Sequence, residues 1–152
     1  MERTNRSLVA VALLGVAACG GPDLDAMRAD DLAGAEAAFL QNIAAINGHD
    51  AEAYLAGYLN TDEFVALSPD GLVRGFAPLA AARRESGAWP DTLIAARPQL
   101  TWLAPGVVWG AYQYVAVQEG ESAEGWSERV FVKSADGWKI AVTGVIPAGG
   151  TP

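Results

Sequence analysis

The stretch at residues 124–146, EGWSERVFVKSADGWKIAVTGVI, has the pattern of two long strands joined by a tight turn at Asp136-Gly137. Apolar and polar side chains alternate through much of both runs, as they do in half-buried strands. An Asp-Gly pair readily adopts the positive φ that a short hairpin requires. The stretch therefore predicts an antiparallel hairpin near the end of the chain.

Two further strand-like runs precede this hairpin, at residues 92–103 and 107–118. Pro105-Gly106 has the composition of a tight connection, and Gly120-Glu121-Ser122 of a looser one. Pro98 predicts a bulge or a sheet edge, because proline has no N–H to donate to a strand ladder. The four runs together predict an antiparallel meander.

The first half of the chain has the pattern of helices. From Asp30 to Ile46 apolar residues recur every three or four positions, which predicts an amphipathic helix capped by Asp30 or Asp31. Asp50 is placed to cap a second, short helix. A short hairpin at residues 63–74 and a third helix with Pro78 in its first turn follow. Helices before a sheet, without strand–helix–strand alternation, predict an α+β fold with the helices on one face of a curved antiparallel sheet.

This order of elements resembles the nuclear transport factor 2-like superfamily, and its SnoaL-like and ketosteroid-isomerase-like branches most. The resemblance spans roughly residues 30–148, and its most specific piece is the sequence DGWKI at 136–140. It implies a cone-like curved antiparallel sheet packed against N-terminal helices, with a pocket inside the cone.

The N-terminus has the layout of an export signal. Arg3 and Arg6 precede an apolar run at residues 8–16, which is too short to span a bilayer as a helix. The sequence LGVAAC at 14–19 resembles a bacterial lipobox, in which the cysteine after the cleavage point receives the lipid. A simple Ala-x-Ala-type cleavage beside an incidental cysteine is the alternative interpretation.

The lipobox interpretation divides the chain into four parts. Residues 1–18 form a lipoprotein signal peptide, 19–29 a tether, 30–148 the folded domain and 149–152 a tail. Lipidated Cys19 then holds the protein to a membrane of the bacterial cell envelope, on the periplasmic face if the cell is Gram-negative. The membrane is thus one expected partner.

Composition excludes several other function classes. With 10 Lys and Arg against 18 Asp and Glu, the net charge is −8, so nucleic acid is not an expected partner. The single cysteine is used by the anchor and His49 is the only histidine, so we expect no metal site. No Gly-rich phosphate loop or dinucleotide motif occurs, and no cofactor is expected.

Strand alternation at residues 124–134 separates two sets of side chains. One face carries Trp126, Glu128, Val130 and Val132, and we expect this more apolar face to line the pocket. Phe131 lies among the polar residues of the opposite face and leaves the reverse assignment open. Glu128 is the candidate general acid or base, because catalysis requires a titratable group within reach of a bound substrate.

Aromatic residues complete the predicted pocket. Tyr54 and Tyr58 lie one helical turn apart and can point at the same cavity. The other expected lining residues are Trp102, Tyr112, Tyr114 and Trp126. An exposed aromatic patch that forms a homodimer through the sheet would look the same in sequence.

Two functions follow from this interpretation. In many relatives the last strand carries inward His and Ser, whereas the corresponding positions here are Val142, Gly144 and Ile146. This departure favours a binding module for a small apolar ligand or a partner over an enzyme. The alternative is a SnoaL-like isomerase, cyclase or hydrolase that uses Glu128 and a tyrosine for general acid/base catalysis.

Overall fold

The computed structural model describes residues 23–86 and 89–148, apart from the side chain of Ser86. Three helices and seven strands lie in this part of the chain. Their bounds are α1 Leu24–Asn47, α2 Ala51–Ala56, β1 Val65–Ser68, β2 Gly71–Arg74, α3 Phe76–Ser86, β3 Thr92–Ala95, β4 Gln99–Ala104, β5 Val107–Gln118, β6 Glu121–Ser134 and β7 Gly137–Pro147. The predicted α+β class is confirmed.

The strands form one curved, unclosed sheet in the order β2-β1-β7-β6-β5-β3, with β4 also paired to β5. Helix α1 packs across strands β3 to β7, and the sheet face toward it is called the inner face below. The strand pairs are antiparallel as predicted except one, because β1 pairs in parallel with β7 and makes the sheet mixed. A crossover of some 70 residues separates these two strands in sequence, long enough to bring them into parallel pairing.

Helix α1 begins six residues before the predicted start. The Asp23 carboxylate accepts hydrogen bonds from the amides of Asp25 and Ala26, both at 3.1 Å, and so caps a helix that starts at Leu24. Residues 24–29, which the sequence assigned to the tether, are therefore helical. Asp31 is not the N-cap but a buried residue inside the helix.

The run at residues 92–103, predicted as one strand, is two strands. Ala96, Arg97 and Pro98 interrupt it, and the register against β5 moves by one residue between β3 and β4. The missing amide of Pro98 accounts for the break, because no ladder bond can form there.

The turn between β5 and β6 is tighter than predicted. Glu119 and Gly120 form a two-residue connection with φ angles of 54° and 83°, and Gln118 pairs directly with Glu121. Two successive positive φ values match the right-handed twist of the strands. Strand β6 consequently begins at Glu121, three residues before its predicted start.

The core lies between α1, α2 and the inner face. Phe64, Val108, Phe131 and Ile140 are each at most 1% exposed. Phe131 and Ile140 are direct partners across the β6–β7 pair, so they face the same way. Their burial identifies the side of the sheet that the helices cover, and this decides which side chains can reach an interior cavity.

Candidate functional site

A cavity of about 270 Å³ opens between the helices and the inner face of the sheet. Its floor is buried and aromatic, and half-buried or exposed side chains form its rim. The lining residues are Tyr54, Tyr58, Tyr112, Ser127 and Arg129 on the floor, with Ile46, Arg83, Trp89, Pro90, Leu93, Tyr114, Thr143 and Val145 around it. This is the interior of the cone.

Helix α2 and the segment that follows it place two tyrosines on the floor, Tyr54 within the helix and Tyr58 two residues beyond its end. Tyr58 Oη donates to Tyr54 Oη at 2.7 Å, and the ring centroids are 4.7 Å apart. Burial raises the pKa of the Tyr58 hydroxyl well above its usual range, and Tyr54 adds to this effect, while the nearby Arg129 acts in the opposite direction. The Tyr58 hydroxyl therefore keeps its proton at neutral pH and is a hydrogen-bond donor, not a base.

Strand β6 places a guanidinium group in the same floor. Arg129 is only 4% exposed, and its Nη2 donates to Tyr112 Oη at 2.6 Å. Its Cζ lies 5.0 Å from the Tyr112 ring centroid and 5.6 Å from that of Phe39. The Arg129 Nε and Nη1 groups are buried and have no hydrogen-bond partner in the described part of the chain.

A second arginine lies at the rim. The guanidinium carbon of Arg83 lies 4.3 Å from the Trp89 ring centroid and 4.6 Å from that of Tyr54. Trp89 also meets the Tyr54 ring edge-on, with a centroid distance of 5.4 Å. Trp89 and Tyr54 thus form an aromatic wall at the entrance in which the two rings are nearly perpendicular.

The charge of the cavity is opposite to that of the protein. The full chain carries −8, yet among the described residues the cavity lining includes two arginines and no Asp, Glu or His. Within the described ranges, no group of three His, Cys, Asp or Glu side chains is arranged to hold a metal ion. The arrangement suits hydrogen bonding to an anion, with aromatic surface for an apolar body.

Two larger clefts on the surface contain arginines that are already paired with carboxylates. One of about 410 Å³ lies between α2, α3 and the β6–β7 turn, and its Arg84 is already paired with Glu52 at 2.8 Å. Another, of about 570 Å³, contains Arg97, which is paired with Glu36 at 3.0 Å. Because these cations have carboxylate partners, neither cleft presents the unsatisfied buried donors seen at Arg129.

The structure reverses the predicted assignment of the two faces of β6. Ser127, Arg129 and Phe131 are buried on the inner face, whereas Trp126 is 45% exposed on the outer face. Glu128 is also exposed there and accepts a hydrogen bond from Trp109 Nε1 at 3.3 Å. Trp126 and Glu128 are therefore not part of the cavity, because burial of Phe131 turns alternate residues of β6 outward.

A bulge in β7 changes the predicted lining of the last strand. Phe131 pairs with Ile140 and Val130 with Val142, so Ala141 is an extra residue on β7. Beyond it, Thr143 and Val145 line the cavity instead of the predicted positions 142, 144 and 146. The last strand thus contributes one hydroxyl to the interior.

Trp102 also lies away from the cavity. Its indole Nε1 donates to the Asp31 carboxylate at 3.0 Å, near the start of α1, whereas Ile46 lines the cavity near the end of that helix. Asp31 and Ile46 are fifteen positions apart on the helix, or about 22 Å along the axis. Of the predicted lining residues, Tyr54, Tyr58, Tyr112 and Tyr114 are the ones that the structure brings together around the cavity.

The exposed aromatic surface is on the outer face. Trp126 pairs across the strands with Ile146, which is 61% exposed, and Leu67 pairs with Leu72, which is 60% exposed. A homodimer through the sheet would use this outer face. The dimer stays a prediction.

Sequence reasoning missed the residues that give the cavity its charge, Arg83 and Arg129. The available signal for Arg129 was Phe131, two positions along the same strand, because a large apolar residue marks the buried face. Arg83 gave no such signal, because its approach to Trp89 depends on how α3 packs.

Solved structures of low sequence identity share this fold. A cystatin-like fold protein from Burkholderia xenovorans LB400 is 22% identical, with a TM-score of 0.68 over 78% of this chain and 92% of that one. An NTF-2 like protein of unknown function from Shewanella oneidensis MR-1 is 18% identical, with a TM-score of 0.64 over 77% and 97%. A ketosteroid isomerase-like protein from Erwinia carotovora atroseptica SCRI1043 is 20% identical, with a TM-score of 0.66 over 81% and 98%.

These similarities define the fold of the protein. The chain has the nuclear transport factor 2-like fold, as its sequence pattern predicted. No protein-family model and no curated protein matches the chain in sequence. Its function is therefore argued from the cavity.

The predicted signal peptide, Cys19 and the tail at 149–152 lie outside the described residues. Within the described ranges, no helix combines the length and hydropathy that a bilayer crossing requires.

Proposed function

We propose that this chain is a membrane-anchored binding module whose inner cavity holds a small, largely apolar ligand. The observation that carries the proposal is the cavity itself, an aromatic floor and rim on the inner face of the sheet. A concave, mostly apolar site with a few convergent polar groups is the usual form of a ligand pocket. At about 270 Å³ it suits a compact molecule better than a long acyl chain.

The catalytic alternative has lost its proposed carboxylate, because Glu128 lies on the outer face. General acid/base catalysis would need a group inside the cavity whose pKa lies near the working pH. The titratable lining residues are tyrosines and arginines, whose ordinary pKa values lie well above neutral pH. The Tyr58 hydroxyl has a raised pKa and holds its proton at neutral pH. Binding is therefore the function that the geometry supports best.

Blocking the cavity entrance tests this proposal. Leu93 lines the rim on β3, and the adjacent Ile94 is 59% exposed, so Leu93→Trp and Ile94→Trp form a matched pair. We expect the neutral fluorescent probe N-phenyl-1-naphthylamine to bind wild type and Ile94→Trp alike. Leu93→Trp should weaken that binding by about tenfold or more, because the larger side chain occupies the space of the ligand.

A fluorescence titration of the three proteins measures these affinities. If the two variants bind the probe with equal affinity, the probe binds outside this cavity. If wild type does not bind the probe, the proposal is contradicted. Circular dichroism of each variant verifies that the fold is intact.

The membrane anchor is the second part of the proposal. It is supported by the lipobox-like sequence that ends at Cys19. Four residues lie between Cys19 and the first residue of α1, so the two are at most about 18 Å apart in an extended chain. The start of α1 would then be held close to the membrane surface.

Replacing Cys19 with alanine should abolish lipid attachment and release the protein from the membrane. Metabolic labelling with a radioactive fatty acid, followed by fractionation, measures both effects. Labelling of Cys19→Ala at the wild-type level would contradict the anchor.

A further inference from the structure

The buried guanidinium of Arg129 has no charge partner in the described part of the chain. The ion pairs found there join Arg84 to Glu52, Arg97 to Glu36 and Lys133 to Asp31. Burying a cation is costly unless it is paired and hydrogen-bonded. Tyr112 satisfies one of its nitrogens, while Nε and Nη1 remain without a partner.

These unsatisfied donors belong to a residue that lines the cavity floor. The charged residues among the lining are Arg129 on the floor and Arg83 at the rim, and Arg83 lies against the Trp89 ring. A ligand that enters past Trp89 therefore meets Arg129 as the charged group at the bottom of the cavity. An anionic oxygen that reaches this guanidinium would find the Nε and Nη1 N–H groups without another acceptor.

We infer that the ligand is an aromatic or compact apolar monocarboxylate, with its carboxylate on Arg129 and its apolar body against the aromatic wall. The inference rests on the proposed function and specifies the chemistry of that same site. One guanidinium on the floor balances one negative charge, which favours a carboxylate over a dianionic phosphate. The Ser127 and Thr143 hydroxyls are further lining donors for the second carboxylate oxygen.

The apolar part of the ligand is recognised by the remaining walls. Trp89, Leu93 and Val145 offer flat or aliphatic surface at the rim, and Tyr54 meets Trp89 edge-on. A planar ring can pack against such aromatic groups with favourable geometry. This excludes strongly polar sugars and nucleotides as the preferred ligand class.

Isothermal titration calorimetry with phenylacetate and its neutral counterpart phenylacetamide tests the inference. The two probes have the same shape and differ in charge. We expect phenylacetate to bind wild type about tenfold or more tightly, because a charge-assisted hydrogen bond to a desolvated guanidinium is lost with the amide. Phenyl phosphate binding more tightly than phenylacetate would contradict the carboxylate assignment.

Three variants assign the preference to one side chain. Arg129→Met should reduce the preference for phenylacetate over phenylacetamide to about twofold or less. Arg129→Lys should retain part of this preference, because the positive charge remains. Arg97→Met is the control, because Arg97 is exposed, paired with Glu36 and outside this cavity. An unchanged preference in Arg129→Met would overturn the inference.

The outcomes also separate this inference from the proposed function. Wild type could bind phenylacetate and phenylacetamide equally well while Leu93→Trp still blocks the binding of N-phenyl-1-naphthylamine. This result would overturn the carboxylate assignment, and the cavity would remain a binding site. Failure of all three probes to bind wild type would overturn both. The wild-type comparison needs no variant, so misfolding of Arg129→Met cannot conceal the result.

Discussion

Replacing Asp31 with asparagine is expected to lower the free energy of unfolding by about 2 kcal/mol or more. The Asp31 carboxylate is 1% exposed and accepts hydrogen bonds from the Gly106 amide at 2.7 Å and the Trp102 indole at 3.0 Å. Lys133 Nζ lies 3.5 Å away. Both N–H groups donate to the same carboxylate oxygen, Oδ2, whereas Oδ1 faces Lys133. An asparagine oxygen in the place of Oδ2 keeps the two bonds without their charge assistance, and the asparagine NH₂ group then faces the Lys133 ammonium.

The same substitution should change the acid dependence of stability. The Gly106 amide and then the Trp102 indole lower the pKa of Asp31, and together they outweigh the opposing effect of burial. A depressed folded-state pKa gives stability that is present above the unfolded value of about 3.9 and is lost as pH falls through the folded value. Wild type should therefore lose its advantage over Asp31→Asn below about pH 4.

Urea denaturation at several values between pH 7 and pH 3 measures both effects. Asp30→Asn is the matched control, because Asp30 is the adjacent residue on α1 and is exposed. Equal stability of Asp31→Asn and Asp30→Asn at pH 7 would contradict the role given to the Asp31 hydrogen bonds.

The second large effect is expected at Gly125, a buried glycine on β6. A Cβ at this position would collide with the Ile146 carbonyl oxygen and lie 2.9 Å from Pro147 Cα and 2.8 Å from Tyr114 Oη. Two of these contacts are backbone of β7, so they can be relieved only by moving the paired strand. Gly125→Val should destabilise the fold by about 3 kcal/mol, even though valine is the better strand residue.

Ala123→Val is the control for this substitution, because Ala123 lies two residues earlier on the same strand and is exposed. Denaturant midpoints of the two variants measure the difference. A Gly125→Val protein as stable as Ala123→Val would mean that β6 and β7 do not approach as closely as described.

Local sequence signals predicted most of the elements. Pro105-Gly106 and Asp136-Gly137 lie at the turns where they were expected, and the Asp50 side chain caps α2 by accepting a hydrogen bond from Ala53 N at 2.9 Å. Such signals act over two to four residues, so a single sequence contains them in full. The parallel pairing of β1 with β7 has no comparable signal, because it joins strands far apart in the chain.

The functional face could not be predicted from alternation alone. On β6 apolar residues occur on both faces, because Val130, Phe131 and Val132 follow one another. The assignment of the faces therefore depended on whether Trp126 or Phe131 is buried. Tryptophan often lies partly exposed in sheets, and here the smaller aromatic residue fills the core. The extra residue Ala141 then reversed the expected lining of β7, because a bulge shifts the phase of every later side chain.

The most direct test of the cavity as the binding site is a ¹H–¹⁵N NMR titration of the protein with phenylacetate. One spectrum contains the Arg129 Nε–H and the indole N–H signals of Trp89 at the rim and Trp126 on the outer face. We expect Arg129 and Trp89 to shift with the same saturation curve while Trp126 stays in place. Saturable shifts of Trp126, with Arg129 and Trp89 unchanged, would contradict the account by placing the ligand on the outer face.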